Sequence, residues 1–187
     1  MELVQQLKRF QPVDDEEARD LALILECLER EPHVFRRENG LAHMSASAWI
    51  VNRKRTHALM AYHNIYQSWS WLGGHADGDS NLLRVALREA QEESGLAHVR
   101  PVMEDVFSVE VLPVFGHWKR GAYVPSHIHL NVTYLLEADD TDGLRIKPDE
   151  NSGVRWFALD EACEASSEPW MREHIYQKLN QKLRALK

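Results

Sequence analysis

The sequence predicts an α/β (α+β) fold, a mixed β-sheet with helices before, between and after its strands. Three observations carry this. β-like segments recur at 46–51, 57–62 and 68–72. A helical segment at about 80–94, closed by Gly95, interrupts them. Two longer β-like segments, 106–114 and 127–138, then lead to a shorter one at 153–159 and a last helix at 169–186.

The chain starts with Leu3, Val4, Leu7 and Phe10 at helical spacing. After Pro12, Asp14 and Asp15 can cap a second helix through Ala18, Leu21, Leu25 and Leu28. Glu31-Pro32 ends it. The first two strands flank the charged turn Asn52-Arg53-Lys54-Arg55, as a hairpin requires. The segment Ser68-Trp69-Ser70-Trp71-Leu72 stops at Gly73-Gly74. A loop with Gly116, Gly121 and Pro125 separates the two long strands. In the last helix Trp170, Ile175, Leu179 and Leu183 fall on or near one face. Trp49, Trp69, Trp71 and Trp156 read as packing residues.

The 187 residues carry 22 Lys+Arg and 29 Asp+Glu, a net charge of −7. That balance lacks the basic footprint of a duplex nucleic-acid binder, but it permits an anionic substrate where metal ions invert the local charge. Cys27 and Cys163 make neither a disulfide framework nor a zinc knuckle. No apolar run approaches the roughly 18–20 residues of a membrane span. The first ten residues carry no secretory apolar core. A soluble, cytoplasmic chain without a membrane partner is expected.

One stretch concentrates the chemistry, from Gly73-Gly74-His75 through Arg88-Glu89-Ala90-Gln91-Glu92-Glu93-Ser94-Gly95-Leu96. Asp79 or Ser80 can cap its helix, and Gly95 can take the left-handed conformation that closes it. Leu83, Leu87 and Ala90 form an apolar row that Leu82 and Ala86 widen. Glu89, Glu92 and Glu93 stand at i, i+3 and i+4, on one helix face. Three carboxylates there repel one another. Opposite a Gly-Gly turn, which lets backbone approach closely, they suit a hard divalent cation shared with substrate phosphates.

The segment resembles the Nudix box: Gly, five residues, Glu, seven residues, Arg-Glu, an aliphatic residue, any residue, Glu-Glu, any residue, Gly, aliphatic. Gly74 begins it, Arg88-Glu89 falls at the required distance, and Ala90, Glu92-Glu93, Gly95 and Leu96 follow. Ser80 stands where the pattern has its first Glu; Asp77 and Asp79 are the nearest carboxylates that could compensate. The resemblance covers residues 42–187 and implies an α/β/α sandwich around a mixed sheet. Residues 1–41 lie outside it, as an N-terminal helical extension.

The resemblance implies a hydrolase that cleaves a diphosphate linkage in a nucleoside diphosphate derivative, with water attacking phosphorus and Mg²⁺ or Mn²⁺ as cofactor. Glu89, Glu92 and Glu93 would be metal ligands, and Arg88 would orient a box carboxylate. The general base would be a box Glu or Glu150, which stands on a loop before a late strand. Gly74 would meet the substrate. In the loop Gly116-His117-Trp118-Lys119-Arg120, Lys119 and Arg120 are candidate phosphate contacts and Trp118 a stacking platform, with Tyr123 beside them. A polar surface loop is the plainer reading of that segment. His127 and His129 would share one strand face, as packed histidines or as a metal pair. A homodimer is a further expectation from the family.

Two alternatives remain open on sequence. A catalytically weak Nudix domain could bind a nucleotide without turning it over, with Ser80 as its support. An isopentenyl diphosphate isomerase-like enzyme would need an active-site cysteine, for which neither Cys27 nor Cys163 has a matching context.

Overall fold

The computed structural model describes residues 2–31, 33–119 and 121–186. Arg120 lies outside the described residues, and so does the side chain of Lys119. Two helices, α1 (Glu2–Arg9) and α2 (Asp15–Arg30), precede strands β1 (Ala42–Asn52), β2 (His57–His63), β3 (Ser68–Ser70) and β4 (Leu72–His75). Helix α3 (Leu82–Ser94) follows, then β5 (Val99–Pro101), β6 (Ser108–Val114), β7 (His117–Lys119), β8 (Ala122–Val124), β9 (His127–Ala138) and β10 (Asn151–Ala158). Helix α4 (Leu159–Ala165) and a π-helical turn (Met171–Tyr176) lead into α5 (Gln177–Ala185).

The main sheet is mixed, in the order β10-β2-β1-β9-β5. β1 and β9 run parallel, with His43 opposite His129 and Ser45 opposite Asn131. All other pairings are antiparallel. β2 and β4 share one edge of β1, and β6 pairs with the first half of β9. β7 and β8 form a separate hairpin.

Both faces of the sheet are covered, because alternate residues of the central strands feed two cores. Met44, Ala46, Ala48 and Ile50 of β1 join Val85, Ala86 and Ala90 of α3 on one face. Trp49 and Val51 join Leu159, Ile175, Leu179 and Leu183 of the C-terminal helices on the other. Trp49 is fully buried and stacks on Tyr176 at 5.5 Å between ring centroids. This is the α/β/α arrangement expected from the sequence.

The amino-terminal helices belong to the same body. Leu3, Leu7 and Ile24 enter the α3-side core. α2 also lies along the outer edge of β6, where backbone groups would otherwise lack partners. Glu17 Oε1 accepts from the Val109 amide (3.4 Å), Asp20 Oδ2 accepts from the Val111 amide (2.9 Å), and Lys178 Nζ donates to the Val109 carbonyl (3.3 Å). Side chains of α2 and α5 thus supply what a further strand would. Glu17 is fully buried and also meets Lys182 Nζ at 2.6 Å and Lys178 Nζ at 3.5 Å. Burial pushes its carboxyl up, but the two lysines outweigh burial and hold it below the ordinary range.

The helix start differs from expectation. α3 begins at Leu82, and Asn81 is its cap, accepting from the Arg84 amide at 3.0 Å. Asp79 is drawn off into a separate turn, bonded to the Asn81 amide (2.9 Å) and to the Arg84 guanidinium (2.7 Å). Gly95 closes the helix with φ 73°, as its position predicts. Leu82, Val85, Ala86 and Ala90 are its buried apolar residues, so the apolar row is rotated from the expected one.

Removing the buried anion leaves Lys182 without its carboxylate and Lys178 with Glu110 alone. We expect Glu17→Ala to lose about 3–5 kcal/mol in urea unfolding, whereas a surface pair such as Lys8–Glu29 contributes about 0–1 kcal/mol.

Candidate active site

β4 passes close over α3, and two glycines make this possible. The Gly73 amide donates to Glu93 Oε2 at 3.1 Å. A Cβ on Gly73 would stand 2.6 Å from the Ala46 carbonyl oxygen, and one on Gly74 would stand 2.5 Å from Glu89 Cδ. The helix carboxylates are therefore pressed against bare backbone.

Glu89, Glu93 and Glu150 converge, each offering a carboxylate oxygen within 4.8 Å of the others. Glu150 arrives from the turn before β10. Its neighbour Asn151 anchors that turn to α3, donating from its side chain to the Glu93 carbonyl at 3.0 Å. Lys147 Nζ ties Glu92 (3.1 Å) to Glu150 (3.0 Å). Burial works against the Lys147 charge, but its bonds to the two carboxylates raise its pKa overall. Arg88 donates to Glu89 at 2.8 Å and lies 3.9 Å from Glu92. Glu92 itself is exposed and outside the converging group.

The electrostatics reflect this crowding. Burial first, and then the charge of Glu89, push the Glu93 carboxyl up to about 8; the Gly73 amide opposes the shift. Hard carboxylate oxygens clustered in this way fit Mg²⁺ or Mn²⁺, because a cation would offset the burial and the neighbouring charge that raise Glu93.

The carboxylates line a cleft of about 640 Å³ together with Gly74, Arg37, Asp77, Trp71 and Tyr176. Four histidines line it as well: His43, His75, His127 and His129. Burial and the neighbouring imidazoles push His129 down to about 2, and burial lowers His43, so both rings are neutral near pH 7.

The remaining sequence candidates separate. Ser80 is exposed and does not line the cleft. Asp77 pairs with Arg37, whose hydrogen bond holds its carboxyl below the ordinary range. Trp118 is 72% exposed on the β7–β8 hairpin, packed on Tyr123 at 5.8 Å, and does not line the cleft. The backbone of Lys119 lies in that hairpin. Sequence reasoning missed Lys147, His43 and His75. His75 adjoins the Gly-Gly turn, which was the one available signal for it.

Comparison with known proteins decides the family. The NUDIX domain profile matches residues 41–179, most of the chain.

The chain belongs to the Nudix family.

A rat bis(5'-nucleosyl)-tetraphosphatase [asymmetrical] is 33% identical over 97 residues, covering 51% of this chain and 59% of the relative. The chain thus spans about three-fifths of the length of that curated relative. Two solved structures share the Nudix fold. A C. elegans Ap4A hydrolase binary complex superposes with TM-score 0.53 at 19% identity, over 76% of this chain and 95% of that one. A MutT protein from Methanosarcina mazei Go1 does so with TM-score 0.55 at 15% identity, over the same shares.

Two outcomes follow from this geometry. Between the ordinary carboxylate range and about pH 8, the folded chain holds a proton on Glu93 that the unfolded chain has released. Stability in EDTA therefore falls as pH rises through that window, and Glu93→Gln flattens the fall when Tm is followed from pH 5 to 8. Gly74→Ala displaces only the flexible end of Glu89. It should keep Tm within a few degrees yet weaken Mn²⁺ binding at least about tenfold by titration calorimetry.

Proposed function

We propose that this Nudix chain is a metal-dependent pyrophosphohydrolase. It cleaves a diphosphate linkage in a nucleoside diphosphate derivative, with Mg²⁺ or Mn²⁺ as cofactor. The convergence of Glu89, Glu93 and Glu150 against the Gly73-Gly74 backbone carries the reading. The rat relative, named for a dinucleoside tetraphosphate, makes dinucleoside polyphosphates the first class to examine.

In this reading Glu89, Glu92 and Glu93 would hold the cations, which would supply charge neutralisation at the phosphoryl group and acidify water. Arg88 positions Glu89 through its 2.8 Å bond. Lys147 draws Glu92 toward the cleft and steadies Glu150. Glu150 takes the proton of the attacking water as the new P–O bond forms, and the leaving phosphate departs with the P–O electron pair. Gly74 leaves room for the phosphate chain. Trp118, exposed on the hairpin, is the proposed stacking platform, and Lys119 and Arg120 are the proposed phosphate contacts.

The proposal takes residues 42–187 as the hydrolase domain and 1–41 as the extension that covers its sheet edge. It places the reaction in the cytoplasm, in keeping with two unpaired cysteines. No helix among the described residues is long and apolar enough to cross a membrane. A homodimer without nucleic-acid or membrane partners completes the reading. The isomerase-like alternative lacks its cysteine: Cys163 is buried among the C-terminal helices, Cys27 lies on α2, and neither lines the cleft.

The test is product release from dinucleoside polyphosphates, nucleoside triphosphates, nucleotide sugars and coenzyme A compounds, each with Mg²⁺ and with Mn²⁺. Cleavage of one class that EDTA stops and Glu93→Gln lowers at least about 100-fold supports the hydrolase. Nucleotide binding without turnover supports the binding module instead. Glu150→Gln should lower kcat about 100-fold while leaving the Mn²⁺ concentration for half-activity within about threefold. A large rise in that concentration would make Glu150 a ligand rather than the base. Ser80→Ala should leave both quantities unchanged.

A further inference from the structure

The four histidines of the cleft have no part in the carboxylate chemistry, yet they are placed with care. They come from three strands. His43 lies on β1, His75 ends β4, and His127 and His129 alternate along β9. Strand register brings them together, with His43 opposite His129 in the parallel pair and His75 opposite Ser45. One nitrogen from each lies within 4.8 Å of the others. The ring centroids of His43 stand 4.9–5.1 Å from those of the other three.

Two of the rings have a fixed tautomer. His43 Nδ1 lies 3.0 Å from the Asn39 carbonyl oxygen, and His127 Nδ1 lies 2.9 Å from the Pro125 carbonyl oxygen. A carbonyl only accepts, so each Nδ1 carries the hydrogen and each Nε2 presents a lone pair. His43 is 4% exposed, and its Nε2 has no hydrogen-bond partner. Such an orphaned acceptor costs free energy unless something meets it. His127 Nε2 faces His129 Nε2 at 3.1 Å. Ligand nitrogens in a tetrahedral Zn²⁺ site stand about 3.3 Å apart, given Zn–N bonds of about 2.0–2.1 Å. A backbone carbonyl on the far nitrogen is also the usual support of a ligating imidazole.

We infer that His43, His75, His127 and His129 form a second metal site, separate from the carboxylates, that takes a borderline divalent cation of the Zn²⁺ class. Imidazole nitrogens select such ions, whereas the carboxylate group selects Mg²⁺ or Mn²⁺. One strand serves both sites, since β4 gives its Gly73 amide to Glu93 and its His75 to the imidazoles. The cation would also face the substrate cleft, where Arg37, Arg88 and Lys147 are already engaged with Asp77, Glu89, Glu92 and Glu150.

The full chain, stripped with chelator, is titrated with Zn²⁺ and with Co²⁺ by equilibrium dialysis and visible absorption. The expected result is one tightly held ion per chain with the intense visible band of tetrahedral, nitrogen-ligated Co²⁺. His75→Gln and His127→Gln, on different strands, should each weaken it at least tenfold with unchanged circular dichroism. Glu93→Gln should leave the band in place, which separates this site from the hydrolase reading. The inference is overturned if wild-type chain shows no such band, or if the band survives both histidine changes and vanishes with Glu93→Gln. The wild-type spectrum decides the matter even where a variant fails to fold.

Discussion

The site depends on how closely the β4 backbone approaches α3. Two adjacent residues without side chains let Glu89 and Glu93 lie against a strand, and the Gly73 amide meets Glu93 directly. A side chain at either glycine would collide with a neighbouring strand or with Glu89. The crowding that results is electrostatically unfavourable without a cation, as the raised Glu93 pKa records. Order in the fold and the proposed metal site therefore share one origin.

The frame that holds this contact is built from both ends of the chain. β4 is fixed by four register pairs to β1, which is buried along its whole length. The parallel β1–β9 pair then sets the histidines beside the end of β4. Farther along the same face of β9, Asn131 accepts from Ser45 and Ser47 at 3.0 Å and donates to Glu110 at 2.9 Å. Glu110 Oε1 makes no hydrogen bond but faces Lys178 Nζ at 3.3 Å. A buried polar stripe thus runs from the cleft to the ion cluster around Glu17, where α2 and α5 close the edge of β6.

Local spacing made much of this legible. The i, i+3, i+4 carboxylates, Gly95 and the Gly-Gly turn lie within one short stretch, so their placement needs no long-range information. Glu150 was legible only through the family resemblance, which points to an acid on the loop before a late strand. The histidines were not: His43 and His129 are 86 positions apart and meet only through parallel register, and Asn39 and Pro125 fix the tautomers from loops. Lys147 escaped notice because a lone lysine in a polar loop has no local signature. Cap competition between Asp79 and Asn81 moved the helix start. Trp118 stands exposed on the β7–β8 hairpin and outside the cleft lining, and hairpin direction is not written in composition.

The most direct measurement is anomalous diffraction from crystals soaked in Mn²⁺ and a non-hydrolysable nucleotide, with data collected at the manganese edge. The account predicts Mn²⁺ on Glu89, Glu92 and Glu93, beside the Glu150 base, with the phosphate chain running past Gly74. Manganese absent from those carboxylates, or phosphates bound away from the Gly73-Gly74 strand, would contradict it.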